Sequence, residues 1–493
     1  MSKKVIIIGS GLGGMSAACY LARDGYSVKI LEKNETYGGR VSIQNIAGFR
    51  FDLGPSFYWM PSIFESFFSD FGKSSKDYYK LVRLDPSYRI FMNNSNTEYL
   101  DIPANIDELY KIFENLENGS SIKLKKLISE GKFMLEIALD KFLYRDYKSI
   151  LDLIDKDLIV KGLKLQVYKS LQTIISKNFK NEDVRKLVTW QSLFLGASPK
   201  NLPALYIFML YVDFVLGTWY PKGGIGELSK ALYTLAIELG VTFEFNTEVR
   251  HIETKDSFAK EVITDKENFK SDFIVANADY HFVETKLLNL EDASYTEKYW
   301  QKRTVAPSSI LIYLGINKKL SNLSHHNYYF SNTWENHFDS LFNNPRWPED
   351  PSIYFSMTSK TDRSTALFGM ENIFALIPVA SNLNDDDSIR DFYFNYAIDK
   401  LEEISGEKIR DFIVYKNIRT HRDQIKIYNS FQGTCFGLAQ TLFQTANFRP
   451  KNRSKKIKNL FYSGHFTHPG IGMPMVIISG KVVANLIKKQ NIK

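Results

Sequence analysis

The chain of 493 residues is poor in cysteine, with Cys19 and Cys435 alone. Two thiols so placed form no disulfide framework, so a reducing cytoplasm is the expected compartment. It also lacks the run of about twenty apolar residues that a membrane-crossing helix needs. The apolar stretch from Ala204 to Val212 stops at Asp213, and that from Met473 to Ile487 contains Lys481. Both are expected to be buried helices or walls of a binding site. A secretory leader of the usual form is not expected, because an apolar strand begins at Val5. There is no zinc-ligand spacing, recognition-helix pattern or aromatic RNA motif, so nucleic acid is not the expected partner despite a net charge of +8. A nucleophile elbow and a zincin motif are missing too, which argues against a hydrolase. Internal repeats and low-complexity tracts are absent.

What is present is concentrated near the start. Val5 to Ile8 is an apolar strand that runs into Gly9-Ser10-Gly11-Leu12-Gly13-Gly14. Gly9 suits the tight turn out of the strand. Gly11 lets backbone amides approach a pyrophosphate, and Gly14 lets the next helix pack on the sheet. The helix from Met15 would meet phosphates with unpaired N–H groups and its positive dipole end. A second strand, Val28 to Leu31, ends at Glu32, where ribose hydroxyls need a carboxylate. Strand, glycines, helix, strand and acid in this order predict an α/β fold with a Rossmann-like dinucleotide site. A second such glycine motif is absent, so no separate nicotinamide domain is expected.

Tyr37-Gly38-Gly39-Arg40 follows the acid closely. A glycine pair lets the backbone pass near a ligand, and an arginine can neutralise a diphosphate. This element resembles the Gly-Gly-Arg motif of the FAD-binding amine oxidase and carotenoid desaturase superfamily. That motif often has a basic residue two positions before the glycines, where this chain has Thr36. Asp52-Leu53-Gly54-Pro55-Ser56 resembles the superfamily's loop beside the flavin ring.

The length suggests two or more domains, and the 44% hydrophobic share suits a large globular enzyme. The 14% aromatic share is high, which suits either a long apolar binding site or a large core. Between Ser120 and Leu153, Leu124, Leu127, Ile128, Leu135, Leu139 and Phe142 recur near helical spacing. Lys123, Lys125, Lys126, Lys132 and Lys141 are interspersed, with Phe133, Tyr144 and Tyr147. The pattern fits a helix lying on an anionic membrane surface, and equally an amphipathic helix with a solvated basic face. Residues 86–219 read as mainly helical. Tyr220-Pro221-Lys222-Gly223-Gly224 then precedes a helix over Glu227 to Leu239 and strands at Val241 to Phe245, Thr247 to Ile252, Lys260 to Thr264 and Phe273 to Ala276. Residues 1–85, 220–285 and 431–493 are therefore assigned to the nucleotide domain. Residues 86–219 and 286–430 are assigned to an interleaved α+β substrate domain.

The chain closes with a strand from Asn459 to Tyr462 and a Pro/Gly-rich loop, His465-Phe466-Thr467-His468-Pro469-Gly470-Ile471-Gly472-Met473-Pro474. A helix is expected from about Met475 to Lys488, with Pro474 suited to its first position. Its amides would stabilise negative charge on a reduced flavin. His465 and His468 have no identifiable third ligand and His325-His326 are adjacent, so no metal is expected.

Together these motifs, with Asn277-Ala278-Asp279 and Thr467-His468-Pro469-Gly470, resemble the bacterial-type carotenoid (phytoene) desaturase family along nearly the whole chain. The family has small residues where His465, Phe466 and Ile471 stand. The resemblance implies FAD held by Gly9, Gly11, Leu12, Gly13, Gly14, Glu32, Lys33, Gly39, Arg40, Gly54, Pro55, Ser56, Val249, Asn277, Asp279, Gly464, Gly472, Met473 and Pro474. Val249 would contact the adenine through its backbone. It implies hydride transfer to flavin N5 from a C–C bond beside a polyene, then proton loss from a delocalised cation, with no named catalytic residue. Phe194, Tyr206, Phe208, Tyr211 and Trp219, with Phe214, are candidate tunnel walls or plain core. The expected partners are a long apolar carotenoid, a membrane surface bound peripherally from the cytoplasm, and oxygen or a quinone as electron acceptor. The best-fitting branch is a 1-hydroxycarotenoid 3,4-desaturase. A phytoene desaturase, a carotenoid isomerase, another oxidase of the amine-oxidase fold, and a flavin-containing binding protein without turnover stay open.

Overall fold

The computed structural model describes residues 2–92, 99–146 and 168–491. Strand β1 (Lys4–Ile8) leads into helix α1 (Leu12–Arg23), which returns to strand β2 (Ser27–Leu31). These strands are the centre of a five-stranded parallel sheet in the order Leu460–Tyr462, Phe273–Ala276, β1, β2, Thr242–Glu244. A parallel sheet is covered on both faces, so its strands read as continuous apolar runs. In β1, Val5 and Ile7 face the cluster formed with α1, and Ile6 and Ile8 face a second cluster. That second cluster includes Ile252 and Val262 of a three-stranded antiparallel sheet, Val249–Lys255, Phe258–Thr264 and Asn268–Lys270.

The glycines of the first turn have a packing job as well as a turning one. A Cβ on Gly14 would overlap the Gly9 carbonyl oxygen, and one on Gly11 would come to 2.8 Å from the Asn277 amide nitrogen. Asn277 thus fills the space that the glycine loop leaves open. Helix α1 packs against the C-terminal helix, Met473–Asn491, where a Cβ on Gly480 would lie 2.6 Å from Ser16 Oγ.

A seven-stranded sheet forms the second layer, in the order Ile413–Arg419, Ser308–Ile316, Glu371–Val379, Ile353–Ser356, His326–Phe330, Tyr88–Met92, Leu100–Ile102. It is antiparallel except where His326–Phe330 runs parallel to Tyr88–Met92. Period-two alternation sends Ile310, Ile312, Leu314 and Ile316 toward helix Asp387–Ser405, and Leu311 and Tyr313 toward the main core.

Helices Ile106–Leu116 and Ser120–Ile137 lie beside the main core, and the second continues to Phe142 with a wider turn. Leu124, Leu127, Ile128, Met134 and Leu135 of this segment are buried inward, whereas Lys125, Lys126 and Lys132 are exposed. The apolar stripe read from the sequence is therefore covered by protein. Tyr147 and the stretch from Ser149 to Leu153 lie outside the described residues. Among the described residues no helix is long and apolar enough to cross a membrane. The segment from Ala204 to Leu216 breaks into three short helical turns, Ala204–Ile207, Phe208–Tyr211 and Val212–Leu216.

Element ends differ modestly from the sequence reading. The C-terminal helix starts at Met473, so Pro474 is its second residue; its missing N–H still falls in the first turn, where no intrahelical acceptor exists. The expected strand over Thr247 to Ile252 begins at Val249, and Glu248 N donates to Asp265 Oδ1 instead of joining the ladder.

Candidate active site

A cavity of about 920 Å³ runs between the two sheets and is lined mostly by apolar side chains. One end opens on the carboxyl ends of β1 and β2, where an open α/β sheet places its ligands. Gly9, Gly11, Leu12, Gly13, Glu32, Lys33, Gly39, Arg40, Gly54, Pro55, Ser56, Val249, Asn277, Asp279, Gly464, Gly472, Met473 and Pro474 all line it. Gly14 does not, and packs instead under the Gly9 carbonyl.

Glu32 is buried and holds the turn together. Its Oε2 accepts from Ser10 N and Ser10 Oγ, both at 2.8 Å, and its Oε1 accepts from Asn34 N and Nδ2. Lys33 Nζ reaches the Lys426 carbonyl and Asn429 Oδ1. Asn277 Oδ1 accepts from Ser463 Oγ at 3.2 Å, tying the first motif to the C-terminal strand. Asp279 is buried and caps a short turn, accepting from Phe282 N and Phe431 N. Burial raises its carboxyl above the usual range, and the two amides oppose that shift.

Arg40 is the strongest sign of an anionic ligand. Its Nη2 donates to Ser430 Oγ at 3.2 Å and its plane lies over Tyr428, yet its Nε is buried with no partner among the described residues. Among the described residues no carboxylate pairs with it. A guanidinium with an unspent donor beside a glycine-lined cleft fits a diphosphate. Gly54 brings the backbone against this residue, since a Cβ there would overlap the Arg40 carbonyl oxygen. The residues present therefore fit a dinucleotide such as FAD.

The loop after Tyr462 rests on a second arginine that the sequence reading missed. Arg449 is buried and donates to the carbonyls of Thr467, Gln444 and His465 and to Gln440 Oε1. It has no carboxylate partner among the described residues, and burial lowers it to about 10. His465 lines the cavity with Nε2 unpartnered among the described residues, and burial, with Arg40 and Arg449 nearby, keeps it neutral. No local signal in Arg449-Pro450 announces this role, because its four partners are distributed over residues 440–467.

Away from the glycine loop the cavity is walled by aromatics. Phe194, Tyr206 and Phe208 line it, joined by Phe57, Trp59, Trp190, Tyr328 and Tyr354. Tyr211 and Trp219 are not among the lining residues; the Trp219 indole donates to the Leu216 carbonyl. Phe214 is buried in the main cluster beside Phe113. The run Phe57-Tyr58-Trp59, directly after Ser56, is the signal that could have marked this wall. The wall nearest the basic helix is formed by Met134, Leu135, Ile137, Ala138, Phe142 and Leu143. His325 and His326 lie in the core next to this cavity, and burial holds both imidazoles neutral.

Comparison with known proteins agrees with this geometry. A family model described as flavin containing amine oxidoreductase matches residues 12–488. The chain is 41% identical to a carotenoid 3,4-desaturase of Haloarcula japonica over 485 residues, 98% of this chain and 97% of that one. It is 30% identical to a zeta-carotene-forming phytoene desaturase of Myxococcus xanthus, over 98% of this chain and 93% of that one. The structure of cyclohexylamine oxidase from Brevibacterium oxydans aligns over the whole of both chains with a TM-score of 0.61 at 16% identity, a likeness of fold.

Proposed function

Because the chain belongs to the flavin-containing amine oxidoreductase family, and so is an FAD-dependent oxidoreductase, we propose that it desaturates an acyclic carotenoid, at the 3,4 bond beside a 1-hydroxylated end. The observation that carries this reading is the 41% identity to a carotenoid 3,4-desaturase along 98% of the chain. The mostly apolar cavity leading away from the glycine loop supports it.

Bound FAD supplies the two-electron acceptor for hydrogen removal. Arg40 would offset the diphosphate charge, and Glu32 would meet the ribose. The first turn of Met473–Asn491, with its dipole, favours negative charge in front of it. Trp59, Trp190, Phe194 and Phe208 would hold the polyene and keep water from a substrate cation. Electrons would leave to oxygen or a quinone. Peripheral association with an anionic membrane from the cytoplasmic side is part of the proposal. It rests on the net charge of +8 and the exposed Lys125, Lys126 and Lys132.

Anaerobic mixing of purified holoprotein with 1-hydroxylated and plain acyclic carotenoids tests the reading. Flavin bleaching with a product lighter by two hydrogens is expected. Unchanged product mass would move the protein to an isomerase, and no bleaching by any carotenoid would overturn the reading. Bleaching by phytoene with no gain from the hydroxyl would place it in the phytoene branch.

A further inference from the structure

In the aromatic wall Tyr328 lies between two other phenols, Tyr88 behind it and Tyr354 beside it in the lining, and the three hydroxyls are in different states. Tyr88 donates to Asp213 Oδ2 at 2.8 Å and accepts from the Trp190 indole at 3.2 Å. Tyr354 is joined to His326 Nδ1 at 2.6 Å. Tyr328 is 6% exposed and lines the cavity. No hydrogen bond among the described residues engages its hydroxyl, which is not one of the enclosed polar atoms left without a partner and so opens on the cavity. Its ring is fixed by Trp190 at 4.5 Å, Tyr354 at 5.0 Å and Tyr88 at 5.8 Å between centroids. A hydroxyl that opens on an apolar cavity is costly to desolvate unless the ligand that displaces water offers it a partner. Rigid rings hold this one where a ligand can reach it.

Its position limits what that ligand can be. Tyr328 belongs to strand His326–Phe330, whose alternation turns His326, Tyr328 and Phe330 to one face. Phe57, the residue after Gly54-Pro55-Ser56, stacks on His326 at 4.3 Å and lies 6.2 Å from Tyr328. Tyr328 is thus one side chain removed from the loop that borders the expected flavin ring. A substrate oxygen meeting it would lie on the side of the cavity where this loop enters.

We propose that Tyr328 is a specificity-determining residue whose phenol hydrogen-bonds a hydroxyl on the otherwise hydrocarbon substrate, near the bond that is oxidised. This deepens the desaturase reading and rests on it. A phenol can both donate to and accept from an alcohol, so one residue satisfies both sides of the pair. Tyr354, already engaged by His326, lines the cavity beside it. A site built around such a bond rejects the analogue that lacks the hydroxyl, because the phenol is then left unpaired.

The test compares Tyr328→Phe with the wild-type holoprotein on a 1-hydroxylated acyclic carotenoid and on the same hydrocarbon without the hydroxyl. The variant keeps the ring, so the stacking is retained. The expected result is a fall of about tenfold in kcat/KM on the hydroxylated substrate, the worth of about 1.4 kcal/mol, with little change on the plain one. The hydroxylated carotenoid's Kd, read from flavin absorbance, should weaken in parallel, while FAD content stays at the wild-type level. Equal effects on both substrates, or none on either, would overturn the assignment and leave Tyr328 facing an ordered water only. If the wild type itself shows no preference for the hydroxyl, the branch reading fails; if it shows one that Tyr328→Phe leaves intact, this residue's role alone fails.

Discussion

Asp213 is a carboxylate in a place that does not welcome charge. Its Oδ2 accepts from Tyr88 and from Gln191 Nε2 at 2.8 Å; among the described residues its Oδ1 has no partner and no cation pairs with it. Burial pushes it up to about 7 from an ordinary 3.8, more than the neighbouring donors Tyr88, Gln191 and Trp190 pull it down. The folded state therefore favours the protonated acid. That contribution to stability is fully present below about pH 4 and is lost as pH rises toward 7. The wild type should lose stability relative to Asp213→Asn across this window, by about 1.4 kcal/mol per pH unit. Denaturant melts of both proteins between pH 4 and 8 measure the difference; parallel profiles would show that the acid does not titrate there. Asn at this position keeps an oxygen for Tyr88 and Gln191, so the comparison isolates the charge. Arg449 shows the opposite case, a buried cation accepted because four oxygens surround it.

The helix Ser120–Ile137 shows how an element can be read correctly in pattern and still change meaning in context. Its 3.6-residue stripe is real, but the main core covers it, so the basic face remains as the candidate for membrane contact. Electrostatic attachment of this kind contributes up to about 1 kcal/mol per lysine near an anionic surface and is screened by salt. Reversing Lys125, Lys126 and Lys132 to Glu should shift sedimentation with anionic vesicles strongly toward the supernatant and leave folding intact, since all three are exposed. Wild-type binding should weaken as salt is raised. Equal sedimentation with neutral and anionic vesicles would leave the lysines as a solvated face. Sequence periodicity could not decide this, because it reports that one side is apolar and not what lies against it.

At the scale of the molecule, the candidate cofactor cleft is assembled from three distant parts of the chain. Glu32 and Arg40 come from the first forty residues, Val249 and Asn277 from the middle, and Gly464 and Met473 from the end. A ligand that touches all three stabilises the folded chain as a whole. At a free concentration a thousandfold above its Kd this amounts to about 4 kcal/mol. Removing FAD should lower the melting temperature by roughly 10 °C, taking about 2–4 °C per kcal/mol for a large domain. Reconstitution with FAD should restore it, and thermal scans of holo, stripped and refilled protein measure both steps. A stripped protein that takes FAD back without any rise in melting temperature would contradict this assembly.

Contiguous motifs carried most of what could be read in advance. The run from Val5 to Glu32 dictated a strand, turn, helix and strand because apolar period, glycine and helix-forming residues all agree locally. Gly38-Gly39-Arg40 and the loop after Tyr462 pointed to the flavin family for the same reason: their chemistry is written in adjacent residues. The tertiary structure decided what depends on distant neighbours. Asn277 occupying the space over Gly11, Arg449 gathering four oxygens, and Tyr328, without a hydrogen-bond partner among the described residues, set beside Tyr88 and Tyr354 each join residues far apart in sequence. A sequence records which side chains can make a hydrogen bond. Which of them finds every nearby partner already taken is settled when the two sheets close on each other, because only then is water excluded and each polar group left with what the fold has placed within reach.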